Sequence, residues 1–393
     1  MALGLAIAAP PAQAQKIGLG QAISNALSNN CAALGNPGGA ALGSQLNAIC
    51  NPAIPPTTGA DSSTGSFSVE SRLSGTEEER RILQRLKDRR DKEQEGGGGS
   101  ADGMRGLSFF VTGDFQSFGK ETTRLEAGYD RETWGATVGA DYSFSGLGVL
   151  GLALTYNHAK GSYDVGGGGF DIDTYGATLY GSVFPVKNLF IDGYLGYNRK
   201  EYDSDRRINI NIAHGGTSSI GVAGAALGST DGDEFKAGVN AGYDFHIRNL
   251  TIGPRLGMNY RDNSISRFTE RGGTGTELVF LRQNQTSLTS VLGVYSSLAI
   301  STGIGVVIPQ VTAEYLHEFE NDQKFYKFRF AQDASATTFR YVLDPPDRDY
   351  FNVGAGVVLV LPNGLAPFVN YRELLGYRHQ TNHTVTAGVR FSF

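Results

Sequence analysis

The residues best suited to chemistry in this chain are its six histidines and Ser117, and their spacing supports no strong catalytic or metal site. His379 and His383 lie four residues apart, but in a predicted strand or turn rather than on the helix that a zinc pair needs. Ser117 could serve as a nucleophile with a histidine partner on a barrel surface, as in an esterase. The chain lacks GxSxG, and its GGGGF tract precedes no helix that could bind a phosphate. We therefore predict no cofactor, no metal and no enzyme activity.

A second group of candidate residues is charged and falls on the polar face of predicted strands. Its members are Asp141, Asp192, Lys236, Arg255, Glu314, Arg372 and Arg390. The core of a soluble sandwich would not accept these charges, whereas the wet lumen of a membrane barrel would. We expect them to contact a helix inside such a lumen. The alternative is that they are hydrated or pair with one another, and partly buried ion pairs of either kind stabilise little.

Alternation with a period of two residues positions these charges from Arg105 to the end of the chain. In TWGATVGADYSF, for example, Trp134 and Val138 share one face, and Thr137 and Asp141 share the other. About twelve strands are predicted, near 107–117, 127–143, 147–159, 170–184, 188–202, 233–247, 249–262, 285–299, 303–318, 347–361, 364–375 and 381–393. Short connections near 145–148, 185–188, 249, 301–303 and 362–364 alternate with long ones near 160–169, 203–232, 263–284 and 319–346.

This pattern predicts an all-β fold, a transmembrane antiparallel up-and-down β-barrel of about 12 strands. The 54 glycines and 18 tyrosines favour short strands, and no apolar run approaches the roughly 18 residues of a membrane helix. A net charge of -5 argues against a nucleic-acid partner. The final strand ends on Phe393, as expected of a strand that closes the barrel against the first and carries the signal for assembly.

One helix is predicted before the barrel, over TEEERRILQRLKDRRDKE at 76–93. Thr76 and Glu79 fit a capping box, and the order of acids before bases suits the helix dipole. Its apolar residues, Ile82, Leu83 and Leu86, form too narrow a face for a soluble core. At 1.5 Å per residue the helix is about 27 Å long, close to the height of a barrel's lipid band, so we predict that it lies in the lumen. The alternatives are a solvated linker helix and a short coiled coil.

The remaining N-terminal residues divide into an export signal and a short polar segment. Residues 1–14 have the apolar stretch and small-residue cleavage pattern of a signal peptide, although the basic start is missing. Residues 15–75 are too poor in apolar residues to bury a large core. Cys31 and Cys50 are expected to form a disulfide in an exported chain, which would stabilise by roughly 3 kcal/mol. Residues 76–100 comprise the helix and a glycine-rich linker, and 101–393 the barrel.

The chain resembles the autotransporter, or type V secretion, β-barrel family over roughly 101–393 and the preceding helix. The carrying features are the lone helix, TWGATVGADYSF, IPQVTAEYLHEF at 308–319 and the terminal GYRHQTNHTVTAGVRFSF. The resemblance implies a barrel in the outer membrane that displays its N-terminal segment at the cell surface. It also implies insertion by the barrel assembly machinery and periplasmic chaperones as partners, with outer-membrane lipid around the barrel.

Two features set this chain apart from the usual pattern of that family. Its passenger, 15–75, is short and lacks β-helix repeats, and 76–93 holds no asparagine for cleavage inside the barrel. Two rival functions remain, a passive channel like a porin and a barrel esterase. Conductance with and without the helix distinguishes the channel, and a serine-directed phosphonate probe distinguishes the esterase.

Overall fold

The computed structural model describes residues 60–62, 76–94, 106–144, 147–164, 167–214, 218–272, 277–331 and 338–392. Among these residues one helix, α1, spans Thr76–Gln94. Twelve long strands follow: β1 Leu107–Lys120, β2 Tyr129–Ser143, β3 Gly148–Tyr163, β4 Gly168–Val183, β5 Leu189–His214, β6 Ser218–Tyr243, β7 Leu250–Ile265, β8 Gln283–Leu298, β9 Gly305–Glu318, β10 Asp349–Val360, β11 Leu365–Leu375 and β12 Gln380–Ser392. Short strands lie at Ala60–Ser62, Phe245–Ile247, Phe268–Thr269, Leu278–Phe280, Ile300–Thr302, Phe325–Phe330 and Phe339–Val342.

The twelve long strands form a closed antiparallel barrel, which confirms the predicted fold class. Each strand pairs with its neighbour in the chain, and β12 closes the ring against β1 from Gln380 opposite Lys120 to Ser392 opposite Ser108. Closure satisfies the backbone hydrogen bonds that an open sheet edge would leave exposed to lipid. We call the end where β1 begins and β12 ends the proximal end, and the opposite end the distal end.

The two faces of the barrel wall differ as the alternation predicts. Large apolar side chains such as Trp134, Leu152 and Leu256 point outward and are at least half exposed. On the inward face, Thr137, Asp141 and their equivalents are buried. Apolar residues outside and polar residues inside are the arrangement of a barrel whose outer face contacts lipid. None of the helices among the described residues is long and apolar enough to cross a membrane.

The prediction of long loops is wrong at two places, because the strands continue through the predicted segments. β5 and β6 pair without interruption from Leu189 opposite Tyr243 to His214 opposite Ser218, so the predicted loop at 203–232 is an extended hairpin. Likewise β3 and β4 reduce the predicted loop at 160–169 to a short connection. Glycine-rich sequence lowered the apparent strand propensity of both segments. In the structure Gly161 permits the Phe170 ring, directly opposite, to lie where a Cβ would stand.

The other two distal connections, 266–282 and 319–348, fold together into a small antiparallel sheet. Its strands are Phe268–Thr269, Leu278–Phe280, Phe325–Phe330 and Phe339–Val342, and we call this sheet the lid. Buried lid side chains, including Phe280 and Phe328, join one apolar cluster with wall residues. Every strand from β1 to β11 contributes to this cluster, with Phe118, Tyr129, Tyr163, Phe170, Tyr202, Ala226, Ile265, Val291, Leu316, Tyr350 and Leu374. The lid therefore fills the distal mouth of the barrel.

Candidate functional site

Helix α1 lies inside the barrel, and its few apolar residues contact the wall. Ile82 and Leu86 are fully buried and share a cluster with Phe110, Tyr180 and Tyr194 of β1, β4 and β5. Three apolar residues are enough to pack the helix, because the lumen presents aromatic rings beside them and polar partners beside the other helix residues. The helix has the position that the sequence predicts, and it extends one residue further, to Gln94.

The acidic start of α1 binds two cations, a hydroxyl group and an amide group of the wall. Glu78 forms an ion pair with Lys236 of β6 and accepts hydrogen bonds from Thr178 at 2.8 Å and Asn198 at 3.2 Å. Glu79 pairs with Arg261 of β7 at 2.6 Å. Because Arg261 lies near the distal end of β7, the start of α1 points toward the distal end.

The basic end of α1 binds carboxylates near the proximal end. Arg85 donates two hydrogen bonds to Asp141 of β2, at 2.6 and 3.1 Å, and Arg89 lies 3.0 Å from the same carboxylate. Arg90 donates to Asp192 of β5 at 2.8 Å. Arg89 also donates to the carbonyl oxygen of Gly106, directly before β1, at 2.8 Å. Acidic and basic ends of the helix thus meet opposite charges at opposite ends of the lumen.

Of the seven charged residues selected from the sequence, four contact α1 directly: Asp141, Asp192, Lys236 and Glu314. Glu314 lies 3.5 Å from Arg80 of the helix and also pairs with Arg255, which is thus a wall partner rather than a helix contact. The other two, Arg372 and Arg390, line a cavity together with Arg80, Arg81 and Arg85. Arg390 lies over the Phe368 ring, 4.1 Å from its centroid.

Several wall residues that bind α1 were not selected from the sequence. Asp114 pairs with Arg81, and Arg261 pairs with Glu79. Asp244 lies 3.7 Å from Arg90. Asp244 and Arg261 fall on the polar face of the alternating pattern, as Asp141 does, so the strand period was a sufficient signal for them. Which helix residue each would meet depends on the rotation of α1, which no period in the sequence specifies.

Aromatic rings of the wall complete the packing around the helix. Arg90 lies 3.5 Å from the centroid of the Phe190 ring, and Lys87 lies 4.6 Å from that of Tyr295. Cations held over ring faces in this way gain about 0.5–2 kcal/mol each. Many lumen rings lie against a glycine directly opposite on the next strand. These pairs are Phe110 with Gly139, Tyr180 with Gly151, Phe190 with Gly242, Tyr194 with Gly238, Tyr295 with Gly253 and Phe368 with Gly388.

Charged contacts hold the lid connections to the rim of the barrel. Lys120 lies 2.8 Å from Asp344 and 3.4 Å from Glu126 of the β1–β2 connection. Glu126 in turn accepts a hydrogen bond from the backbone N–H of Asp344 at 2.9 Å. Arg206 pairs with Glu270 at 2.6 Å, which joins the β5–β6 hairpin to the lid. The lid is thus anchored at two sites on the rim.

We expect the contribution of Glu126 to the stability of the folded chain to fall as the pH rises. Burial raises the pKa of Glu126 from 4.5 to about 7. The charge of Lys120 acts in the opposite direction, and Asp344 and Tyr341 also interact with the Glu126 carboxyl group. The folded state therefore binds this proton more tightly than the unfolded state. Its contribution to stability is fully present below pH 4.5 and is lost as the pH rises through about 7. Hydrogen exchange of 121–128 and 343–348, corrected for intrinsic rates, should be faster at pH 8 than at pH 5.

The matched variant for that experiment is Glu126→Gln, which keeps the shape of the protonated side chain. Its protection from exchange should no longer differ between the two pH values. If the wild-type chain exchanged equally at both, or the variant kept the difference, the titration would belong to another group.

Within the part of the chain that the structure describes, neither candidate site for chemistry has a hydrogen bond between its own members. Ser117 lies directly opposite His383 on the outward face, and the Nδ1 atom of His383 lies 2.8 Å from the Tyr371 hydroxyl. His379 contacts Glu121 at 2.9 Å. Among the described residues no group of three or more His, Cys, Asp or Glu side chains could hold a metal ion. Cys31, Cys50 and Phe393 lie outside the described residues, so the disulfide and the assembly signal stay predictions.

The lumen and the strand order define a class of protein, a twelve-stranded membrane barrel whose pore is occupied by a helix of its own chain. The autotransporter beta-domain family matches residues 109–372. The chain therefore belongs to the autotransporter β-domain family, and this family implies the outer membrane as its location.

The chain is also similar to individual proteins. The translocator domain of autotransporter NalP from Neisseria meningitidis has the same fold, with a TM-score of 0.60 and 15% identity, over 82% of this chain and 98% of that domain. Outer membrane protein A of Rickettsia conorii is 26% identical over 199 residues, half of this chain. The putative uncharacterized protein YaiT of Escherichia coli is 30% identical over 122 residues, 30% of this chain. The matched regions make up 10% and 11% of those two relatives.

Proposed function

We propose that this barrel is an outer-membrane translocator that carries its own N-terminal segment to the cell surface and anchors it there through α1. The observation that supports this is the direction of the chain. Gly106, beside the end of α1, is at the proximal end, and the acidic start of α1 points toward the distal end. Upstream of α1, Ala60–Ser62 pair with Ile208–Ile210 on the distal extension of β5. This direction, with upstream residues at the distal end and downstream residues at the proximal end, supports a chain that is threaded through the barrel.

The charges of the lumen suit an anchor. Once the upstream segment has crossed, pairs such as Glu78 with Lys236 and Arg90 with Asp192 hold α1 at a fixed height in the pore. Removing one member of such a buried pair leaves an uncompensated charge, so the seated helix resists sliding. We expect no catalysis and no cofactor, and we expect insertion by the barrel assembly machinery with periplasmic chaperones.

Surface labelling tests this proposal. An epitope tag inserted after Gly65 should be labelled by antibody on intact cells and lost on brief treatment with added protease. The same tag inserted in the proximal turn after Gly303, where an added side chain meets no neighbour, serves as the control that stays hidden. If the tag after Gly65 became accessible only after the outer membrane was permeabilised, the segment would remain on the periplasmic side and a channel function would be favoured.

A further inference from the structure

The lid hairpin has an excess of positive charge in an acidic protein. Residues 324–342 contain four cations, Lys324, Lys327, Arg329 and Arg340, and one acid, Asp333, a net charge of +3. The whole chain has a net charge of -5, so the rest of it sums to -8. Acids flank the hairpin at Asp322, Asp344 and Asp347, so the excess of positive charge is confined to the hairpin itself.

Three of the four cations, Lys327, Arg329 and Arg340, share the outer face of the lid. Strand Phe325–Phe330 alternates between exposed and buried residues, with Tyr326, Phe328 and Phe330 buried against the barrel mouth. Lys327 is exposed on the opposite face and stands directly across from the exposed Arg340. Arg329 follows two residues later on the same face. Like charges directly opposite on neighbouring strands destabilise a sheet, so this pair costs stability.

Within the described residues none of these four cations has an ion-pair partner. The nearest compensating group is the ring of Phe325, which is 44% exposed and whose centroid lies 4.7 Å from the Arg340 guanidinium and 5.9 Å from the Lys327 ammonium. Lys324 instead lines a cavity of about 180 Å³ whose charges are mixed, since Glu126, Asp344 and Asp347 line it as well. The row of cations on the outer face of the lid is therefore Lys327, Arg329 and Arg340.

We propose that this face of the lid, formed by Lys327, Arg329 and Arg340, binds a sulfated polysaccharide presented by another surface. A polymer with an anionic group on successive sugars offers the repeated charges that a row of unpaired cations needs, and such complementarity governs both encounter and specificity. Nucleic acid is disfavoured, because Arg340 and Lys327 already lie against the Phe325 ring that a base would stack on. Lipid phosphates are disfavoured as well, since the hairpin packs over the barrel mouth rather than beside the lipid-facing wall.

Binding of heparin, a sulfated polysaccharide, by the purified full chain in detergent tests this proposal. Lys327→Gln combined with Arg340→Gln should weaken binding by roughly tenfold or more, because two charge-assisted contacts are lost. The matched control is Lys187→Gln with Arg248→Gln, which removes two exposed cations from proximal turns and should change affinity less than about twofold. Raising the salt concentration should weaken heparin binding by the wild-type chain more than heparin binding by the lid variant.

Three results would overturn the proposal. The first is no heparin binding by the wild-type chain, and the second is equal loss in the lid and control variants. The third is binding of single-stranded DNA or of lipopolysaccharide as tight as that of heparin. Heat-modifiable migration on gels verifies that each variant is folded. The experiment is independent of translocation, so its failure would leave the proposed function untouched.

Discussion

Replacing Asp141 with asparagine should destabilise the folded barrel by about 3–5 kcal/mol, the cost of leaving a buried charge without its partner. The Asp141 side chain is fully buried and binds Arg85 at 2.6 Å and Arg89 at 3.0 Å. It also accepts a hydrogen bond from the Tyr180 hydroxyl at 3.1 Å. The variant leaves two guanidinium groups in the lumen with one carboxylate fewer. Urea unfolding followed by the fluorescence of Trp134, the single tryptophan, measures the change.

Two further variants make this result specific to the buried pair. Asp130→Asn removes an exposed carboxylate from the same strand and should change stability by less than about 0.5 kcal/mol. Asp141→Leu combined with Arg85→Met and Arg89→Met removes all three charges and should recover most of the loss, because apolar groups replace a buried ion cluster well. Equal effects of Asp141→Asn and Asp130→Asn would show that the helix is not held at this position.

The second large effect concerns conductance, because the lumen is obstructed at two levels. Helix α1 occupies the lumen, and the lid fills the distal mouth as part of an apolar cluster that includes residues from every strand from β1 to β11. The full chain should therefore give no stable conductance in planar bilayers. Deleting residues 76–94 alone should leave the conductance low, since the lid remains. Shortening the connections 266–282 and 319–348 in the same deletion variant should give a large, steady conductance, because the pore of a barrel widens with strand number.

The matched control for that series keeps the helix and shortens both lid connections. Its conductance should stay low, since α1 still fills the lumen. A large stable conductance of the full chain would contradict both barriers and favour the channel function. If deletion of α1 alone opened the pore fully, the lid would not be a barrier.

The barrel itself was predictable because its alternation is dictated by two solvents. Trp134 and Asp141 lie on the same strand but on opposite faces. The outer face contacts lipid, and the inner face contacts water and the helix. The position of α1 in the lumen was likewise predictable from its length and from the scarcity of apolar residues. Its pairing with Asp141, Asp192, Lys236 and Glu314 followed from charge and strand face alone.

The sequence carried less information about the distal end. The β5–β6 hairpin continues through Arg206 and Ala226 because backbone pairing persists where small residues hide the strand signal. The lid brings Phe280 and Phe328 together from connections nearly fifty residues apart, a contact that no local period encodes. Asp114 and Arg261 were missed as helix partners because the rotation of α1 is set by the fit of Ile82 and Leu86 among wall rings.

Disulfide trapping of the threaded chain tests the central claim most directly. Asp61 and Asn209 stand opposite each other on paired strands. In a chain with Cys31→Ser and Cys50→Ser, the added substitutions Asp61→Cys and Asn209→Cys should give a cross-link in intact cells. Pairing Asp61→Cys with Ala213→Cys, about 13 Å further along the strand, should not cross-link. A membrane-impermeant reductant added to intact cells should break the bond, because the proposed translocation puts the pair outside the cell. No cross-link at 61 and 209, or one that resists this reductant until the outer membrane is opened, would contradict translocation of the segment through the barrel.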